Sequence, residues 1–137
     1  MNRRSFLQAG VSLALLGGSV SAFAMRGAKV VVIGGGYGGA TAAKYIRWLS
    51  GNQLDVTLIE PNKEFISCPL SNLVVGGSRK LSEITRPYSA LEKNHGVRII
   101  HEMATNIDTT ARSITLSNGS QVSYDKLVLS PGLDLNM

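Results

Sequence analysis

Three glycines, an acid and a thiol carry the chemistry this sequence can do. Gly34, Gly36 and Gly39 fit G-x-G-x-x-G within "IGGGYGG", and Gly35 and Gly38 complete the cluster. A glycine at the first place allows a tight turn out of a strand. The second, having no side chain, lets a pyrophosphate approach the backbone, and the third lets a helix pack close to the strand. A helix beginning there presents free N–H groups and a partial positive charge to phosphates. Glu60 lies 21 residues beyond Gly39, close to the ~20 at which an acid meets ribose hydroxyls. Such an acid suits FAD or NAD and disfavours NADP, which carries a phosphate at that place. Cys68, in "FISCPLSN", is the only cysteine of the chain. It is either a small buried hydrophobe or a nucleophile whose thiolate bonds to something other than cysteine.

These groups need a frame. Val30 to Ile33 is a continuous apolar run, as in a strand buried on both faces. Ala40 to Leu49 reads as the helix after the glycine turn, with Ala40, Ala43, Ile46 and Leu49 on one face. Gly51 stands where a glycine ends a helix. Asp55 to Ile59 reads as a second strand that delivers Glu60. Pro61 to Gly77 reads as loop, and Thr85 to Asn94 as a short helix with Thr85 as cap and Pro87 in its first turn. Val97 to His101 reads as a third strand. Asn106 to Tyr124 reads as an antiparallel meander with a two-residue hairpin at Asn118-Gly119. Lys126 to Leu129 is a last strand that runs into Ser130-Pro131-Gly132.

The first residues read differently. Arg3 and Arg4 precede Ser5-Phe6-Leu7, then a mildly apolar stretch from Ala9 to Val20, then Ala22-Phe23-Ala24. This is the order of a secretory leader, and R-R-x-F-L is similar to a twin-arginine signal. The apolar stretch is about 12 residues against the ~20 of a spanning helix. Residues 1–24 are therefore expected to be removed on export to the periplasm, leaving no membrane span and one modest domain in residues 25–137; an uncleaved N-terminal anchor is the alternative reading. Losing Arg3 and Arg4 takes the formal charge from +5 to +3. The other bases are scattered, with no basic run interleaved with aromatics, so nucleic acid is not an expected partner. His95 and His101 stand alone without zinc-site spacing, and no metal is expected. With no C-x-x-C-H, the chain carries no c-type haem of its own.

The order glycine-rich βαβ, crossover, third strand, meander and "YDKLVLSPG" resembles the first half of the Rossmann-like FAD-binding domain of two-dinucleotide-domain flavoproteins. The expected fold class is α/β, with a parallel sheet, a crossover helix and a small antiparallel β-meander. The resemblance narrows at "KVVVIGGGYGGATAAKYIR", "VTLIEPN", "CPLSNLVVGGSRKL" and "YDKLVLSPGLD". Together these are similar to the flavoprotein subunit of flavocytochrome c sulfide dehydrogenase.

That resemblance implies FAD, held covalently through a thioether from Cys68 to the 8α carbon of the flavin. It implies sulfide as the substrate and a c-type cytochrome subunit as the electron acceptor and partner. It places Pro61 and Asn62 at the adenosine pocket, the backbone of Ala104 near the adenine, and Gly132 near the pyrophosphate or ribityl chain. Ser130 stands with Pro131 and Gly132 where the superfamily usually has A-T-G. Such flavoproteins are longer. They add a second dinucleotide-like domain after this strand, and two further cysteines form a redox disulfide beside the flavin. Residues 25–137 are thus expected to be the N-terminal part of the FAD domain. A noncatalytic FAD-binding fragment and a sulfide:quinone reductase relative are the alternative readings, and turnover by this chain alone is not expected.

Overall fold

The computed structural model describes residues 27–132; the leader expected at 1–24 lies outside them. Four parallel strands form the central sheet: β1 (Lys29–Ile33), β2 (Asp55–Ile59), β5 (Arg98–Ile100) and β9 (Lys126–Leu129), in the order β5-β2-β1-β9. β1 pairs Lys29 with Asp55 and Ile33 with Ile59 on one side, and Val30 with Lys126 and Ile33 with Leu129 on the other. With sheet neighbours on both sides and apolar residues on both faces, β1 has the continuous valine run that a doubly covered strand requires. Val30 and Val32 pack with Ala43, Val56, Leu58, Tyr88 and Val97 on the helical face. Val31 packs on the opposite face with Ile59, Ile114, Leu116 and Tyr124.

The helical face is covered by α1 (Tyr37–Leu49) and α4 (Ser89–His95). α1 starts three residues before the expected Ala40, because Gly36 serves as its N-cap and Gly38 and Gly39 fall in its first turn. Ala43 is buried and Ile46 packs against the core, but Leu49 is exposed at the helix end. Gly51, at φ +61, closes the helix as expected, its N–H donating to the Trp48 carbonyl.

The other face is covered by the meander β6 (Ala104–Asp108), β7 (Ser113–Leu116) and β8 (Gln121–Ser123). Asn118-Gly119 does turn this chain, though not as a two-residue hairpin. The Gly119 N–H donates to Leu116 O, the Leu116 N–H donates to Ser120 O, and only Gly119 takes positive φ (+82). That is the three-residue arrangement with a glycine at its left-handed corner.

The crossover between β2 and β5 differs most from expectation. The segment read as loop contains β3 (Glu64–Ile66), a 3-10 turn at Cys68–Leu70 and α2 (Ser71–Val75). The helix read from Thr85 is instead the end of α3 (Leu81–Ile84) followed by β4 (Thr85–Pro87) and then α4. β4 pairs antiparallel with β3, Glu64 opposite Pro87 and Ile66 opposite Thr85. Pro87 biases Arg86 towards extended backbone, so Thr85-Arg86-Pro87 can join a ladder. Thr85 still caps, but at the other end of a helix: its hydroxyl donates to the Leu81 carbonyl at the close of α3.

Candidate functional site

The glycine turn joins β1 to α1, and each glycine there has its own physical reason. Gly34 has φ +96, and a Cβ on it would lie 2.0 Å from the Ser130 carbonyl oxygen. β9 therefore packs directly on this turn, and the Ser130 N–H donates to Ile33 O at 2.8 Å. A Cβ on Gly39 would lie 1.8 Å from Gly34 O, so the helix sits against the turn as closely as backbone allows. A Cβ on Gly38 would approach Ser130 Oγ at 2.9 Å. Gly36 is different: a Cβ there would meet nothing within 4 Å. Its lack of a side chain answers no neighbour among the described residues and leaves an open cradle beside the backbone. α1 begins at this cradle with no side-chain cap and no acid in its first turn. Its first N–H groups are thus available to an anion.

Glu60 follows β2 and is 8% exposed. Its Oε2 accepts from the Gly35 N–H at 2.6 Å. Its Oε1 accepts from the Asn62 N–H at 3.0 Å and from Asn62 Nδ2 at 2.8 Å. The acid is thereby fixed beside the glycine turn with acceptor capacity left on Oε2. His101, beyond β5, lies with Nδ1 3.2 Å from Glu60 O and 3.1 Å from Asn62 O, which holds the Pro61-Asn62 corner in place.

Sequence reasoning missed Tyr88. It lies between β4 and α4, is 5% exposed, and donates from its hydroxyl to Gly35 O at 2.9 Å. Burial, and then the negative charge of Glu60, push its pKa up to about 12, so the hydroxyl stays a donor. A Cβ on Gly35 would lie 2.4 Å from that hydroxyl and 2.7 Å from Glu60 Cγ. No local signal marks this contact, because Tyr88 and Gly35 stand 53 residues apart.

Cys68 is exposed at the first position of the 3-10 turn, with no disulfide. The neighbouring Ser67 ties its loop to the glycine turn. Ser67 Oγ and the Tyr37 hydroxyl are hydrogen-bonded, and the Ser67 N–H donates to Ile84 O at 3.0 Å. The Tyr37 and Phe65 rings meet edge to face at 4.8 Å. The thiol expected at the cofactor is thus on a loop anchored to the first residue of α1. A cleft of about 430 Å³ opens along this junction, lined by Gly36, Tyr37, Thr41, Phe65, Arg86 and Tyr88 among others.

The remaining expected residues divide. Ser130 is packed into the turn, Pro61 and Asn62 lie beside Glu60, and a Cβ on Gly132, at φ +79, would meet none of the described residues within 4 Å. Ala104 opens β6 and packs against the core cluster of Val31, Ile59, Ile114, Leu116 and Tyr124. Among the described residues no group of three or more His, Cys, Asp or Glu could hold a metal ion. No described helix is long and apolar enough to cross a membrane.

A sequence profile of the pyridine nucleotide-disulphide oxidoreductase family matches residues 28–136. The chain is 36% identical over 103 residues to the sulfide-quinone reductase of Aquifex aeolicus, covering 75% of this chain and 24% of that protein. It is 54% identical over 46 residues to the sulfide dehydrogenase (flavocytochrome c) flavoprotein chain of Chlorobaculum thiosulfatiphilum, covering 34% of this chain and 94% of that sequence. The solved structure of the sulfide:quinone oxidoreductase of Aquifex aeolicus superposes with a TM-score of 0.74 at 35% identity, covering 80% of this chain and 25% of that one. The chain thus spans about a quarter of the length of the Aquifex relative.

Proposed function

The chain belongs to the pyridine nucleotide-disulphide oxidoreductase family, and on that premise we propose that it holds the FAD of an exported, sulfide-oxidising flavoprotein. The observation that carries the reading is the open cradle at Gly36. It lies at the uncapped start of α1, beside a turn to which Glu60 is hydrogen-bonded. Those residues fit a dinucleotide. Gly34, Gly36, Gly38 and Gly39, with the first N–H groups of α1, would take the pyrophosphate. Oε2 of Glu60 would accept from a ribose hydroxyl, with Pro61 and Asn62 shaping the adenosine side and Ala104 offering backbone to the adenine. Ser130 and Gly132 would border the pyrophosphate and ribityl chain. FAD, when bound, supplies two-electron redox chemistry.

Cys68 is proposed as the covalent anchor. Its thiol is exposed and outside any disulfide, on a loop tied to α1 through Ser67 and Tyr37. A covalent bond would prevent loss of the cofactor after export of the folded protein by the twin-arginine route. The electron acceptor proposed is a c-type cytochrome subunit, supported by the 54% identity to a flavocytochrome c flavoprotein chain. A quinone is the second reading, favoured by the longer match to the sulfide-quinone reductase.

The test is the intact mass of the protein recovered from the periplasm of its host under denaturing conditions. A mass lacking residues 1–24 and carrying one FAD is expected. Unmodified polypeptide would overturn the covalent anchor, and retained residues 1–24 would overturn leader cleavage. Native recovery of the protein with the membrane quinone fraction, and not with a c-type cytochrome, would replace the first acceptor by the second.

A further inference from the structure

We propose that Tyr88 is a positioning residue for phosphate binding: by holding the Gly35 carbonyl it sets the direction of the Gly36 N–H. The geometry follows from one peptide plane. The described residues contain no cis peptide bond, so the Gly35 C=O and Gly36 N–H point in opposite directions across a planar trans unit. The Tyr88 hydroxyl binds that carbonyl at 2.9 Å from the buried side. The Gly36 N–H is therefore turned away from Tyr88.

The other polar atom of Gly35 is also held: its N–H donates to Glu60 Oε2 at 2.6 Å. Two buried side chains from two separate elements thus fix one residue of the turn. Neither can shift inwards, since a Cβ on Gly35 would already collide with both. On the outer side lies the cradle at Gly36, where an added Cβ meets nothing within 4 Å. The arrangement presents one N–H, pre-oriented, to a phosphate oxygen. Without the hydroxyl the Gly35–Gly36 peptide could rotate, and each binding event would have to reorder it.

The inference rests on the dinucleotide reading, and the test separates the two. The probes are ADP and adenosine, titrated into the full 137-residue chain and into its Tyr88→Phe variant. Phenylalanine keeps the ring and removes only the donor. The expected result is about a tenfold loss of ADP affinity, the scale of one hydrogen bond, with adenosine affinity unchanged. Equal losses for both ligands would assign Tyr88 a merely structural part and overturn the proposal, as would unchanged ADP affinity. Should the variant not fold, the wild-type amide spectrum decides: ADP must shift the Gly36 N–H resonance and slow its exchange, and adenosine must not. A Gly36 resonance indifferent to ADP overturns the proposal. A wild-type chain that binds neither probe overturns the dinucleotide reading itself, and this inference with it.

Discussion

Gly36→Ala should separate ligand binding from stability, and Gly39→Ala should not. Gly36 is the N-cap of α1 with φ −63 and ψ −172, values open to alanine. Its new Cβ meets no atom of the described residues within 4 Å. Exchanging glycine for alanine at a cap costs a fraction of a kcal/mol, partly offset by the lower entropy of the unfolded chain, so the net change stays within about 1 kcal/mol. For a domain of this size that is a shift in Tm of no more than about 4–8 °C. The methyl would, however, occupy the cradle. A phosphate oxygen bonded to this backbone needs an approach of roughly 2.9 Å, which the methyl obstructs. Loss of that approach should weaken ADP binding by about tenfold to a hundredfold, on the order of 1.4–2.8 kcal/mol. In Gly39→Ala the Cβ would sit 1.8 Å from Gly34 O, a backbone atom that cannot move without shifting α1 off β1. Overpacking of this kind costs about 1–3 kcal/mol or more, so Tm and binding should fall together. The assays are thermal unfolding and ADP titration of both variants. A folded Gly36→Ala chain with wild-type ADP affinity would refute the reasoning, because the cradle would then not be where the phosphates approach.

Other consequences follow from the same contacts. Glu60→Ala removes the acceptor of the Gly35 and Asn62 N–H groups, and leaving a buried donor unpaired should cost roughly 1–3 kcal/mol; urea unfolding measures it, and an unchanged midpoint would contradict the role given to this carboxylate. Cys68→Ser should abolish flavin that survives denaturation, with any noncovalently bound flavin released on acid precipitation; flavin fluorescence in the pellet reads this directly, and persistent pellet flavin would place the anchor elsewhere. The pKa of Tyr88 is raised from 10.0 to about 12 by burial first and Glu60 second. The unfolded chain then releases this proton before the folded one does, so stability falls as pH rises from 10 towards 12 and is unaffected below that window. Tyr88→Phe should flatten that part of the alkaline profile, and a profile identical to wild type would show that the phenol does not titrate differently in the folded state.

The βαβ unit, with its glycine turn and the placing of Glu60 beside it, was legible because everything that specifies it is contiguous. The run Val30–Ile33 must be a doubly covered strand, the glycines must form the turn, and the chain returns through Asp55–Ile59 to deliver Glu60. The periods of strand and helix, and the steric freedom of glycine, act within a few residues. The meander was legible for the same reason, though its turn added one residue at Gly119. The crossover was not. β3 and β4 are three residues each, too short for a period, and Thr85-Arg86-Pro87 becomes a strand because Glu64–Ile66 lies alongside to accept it. Nor could local pattern show which side chains would reach the turn from afar. Tyr88 at Gly35 and Ser67 at Tyr37 are contacts across 53 and 30 residues. They exist because the sheet order and the packing of α4 on α1 bring those segments together. The sequence by itself determined which backbone could face a dinucleotide; the tertiary structure decided which buried groups hold that backbone in place, since burial and long-range hydrogen bonds are properties of the assembled layers and not of any segment.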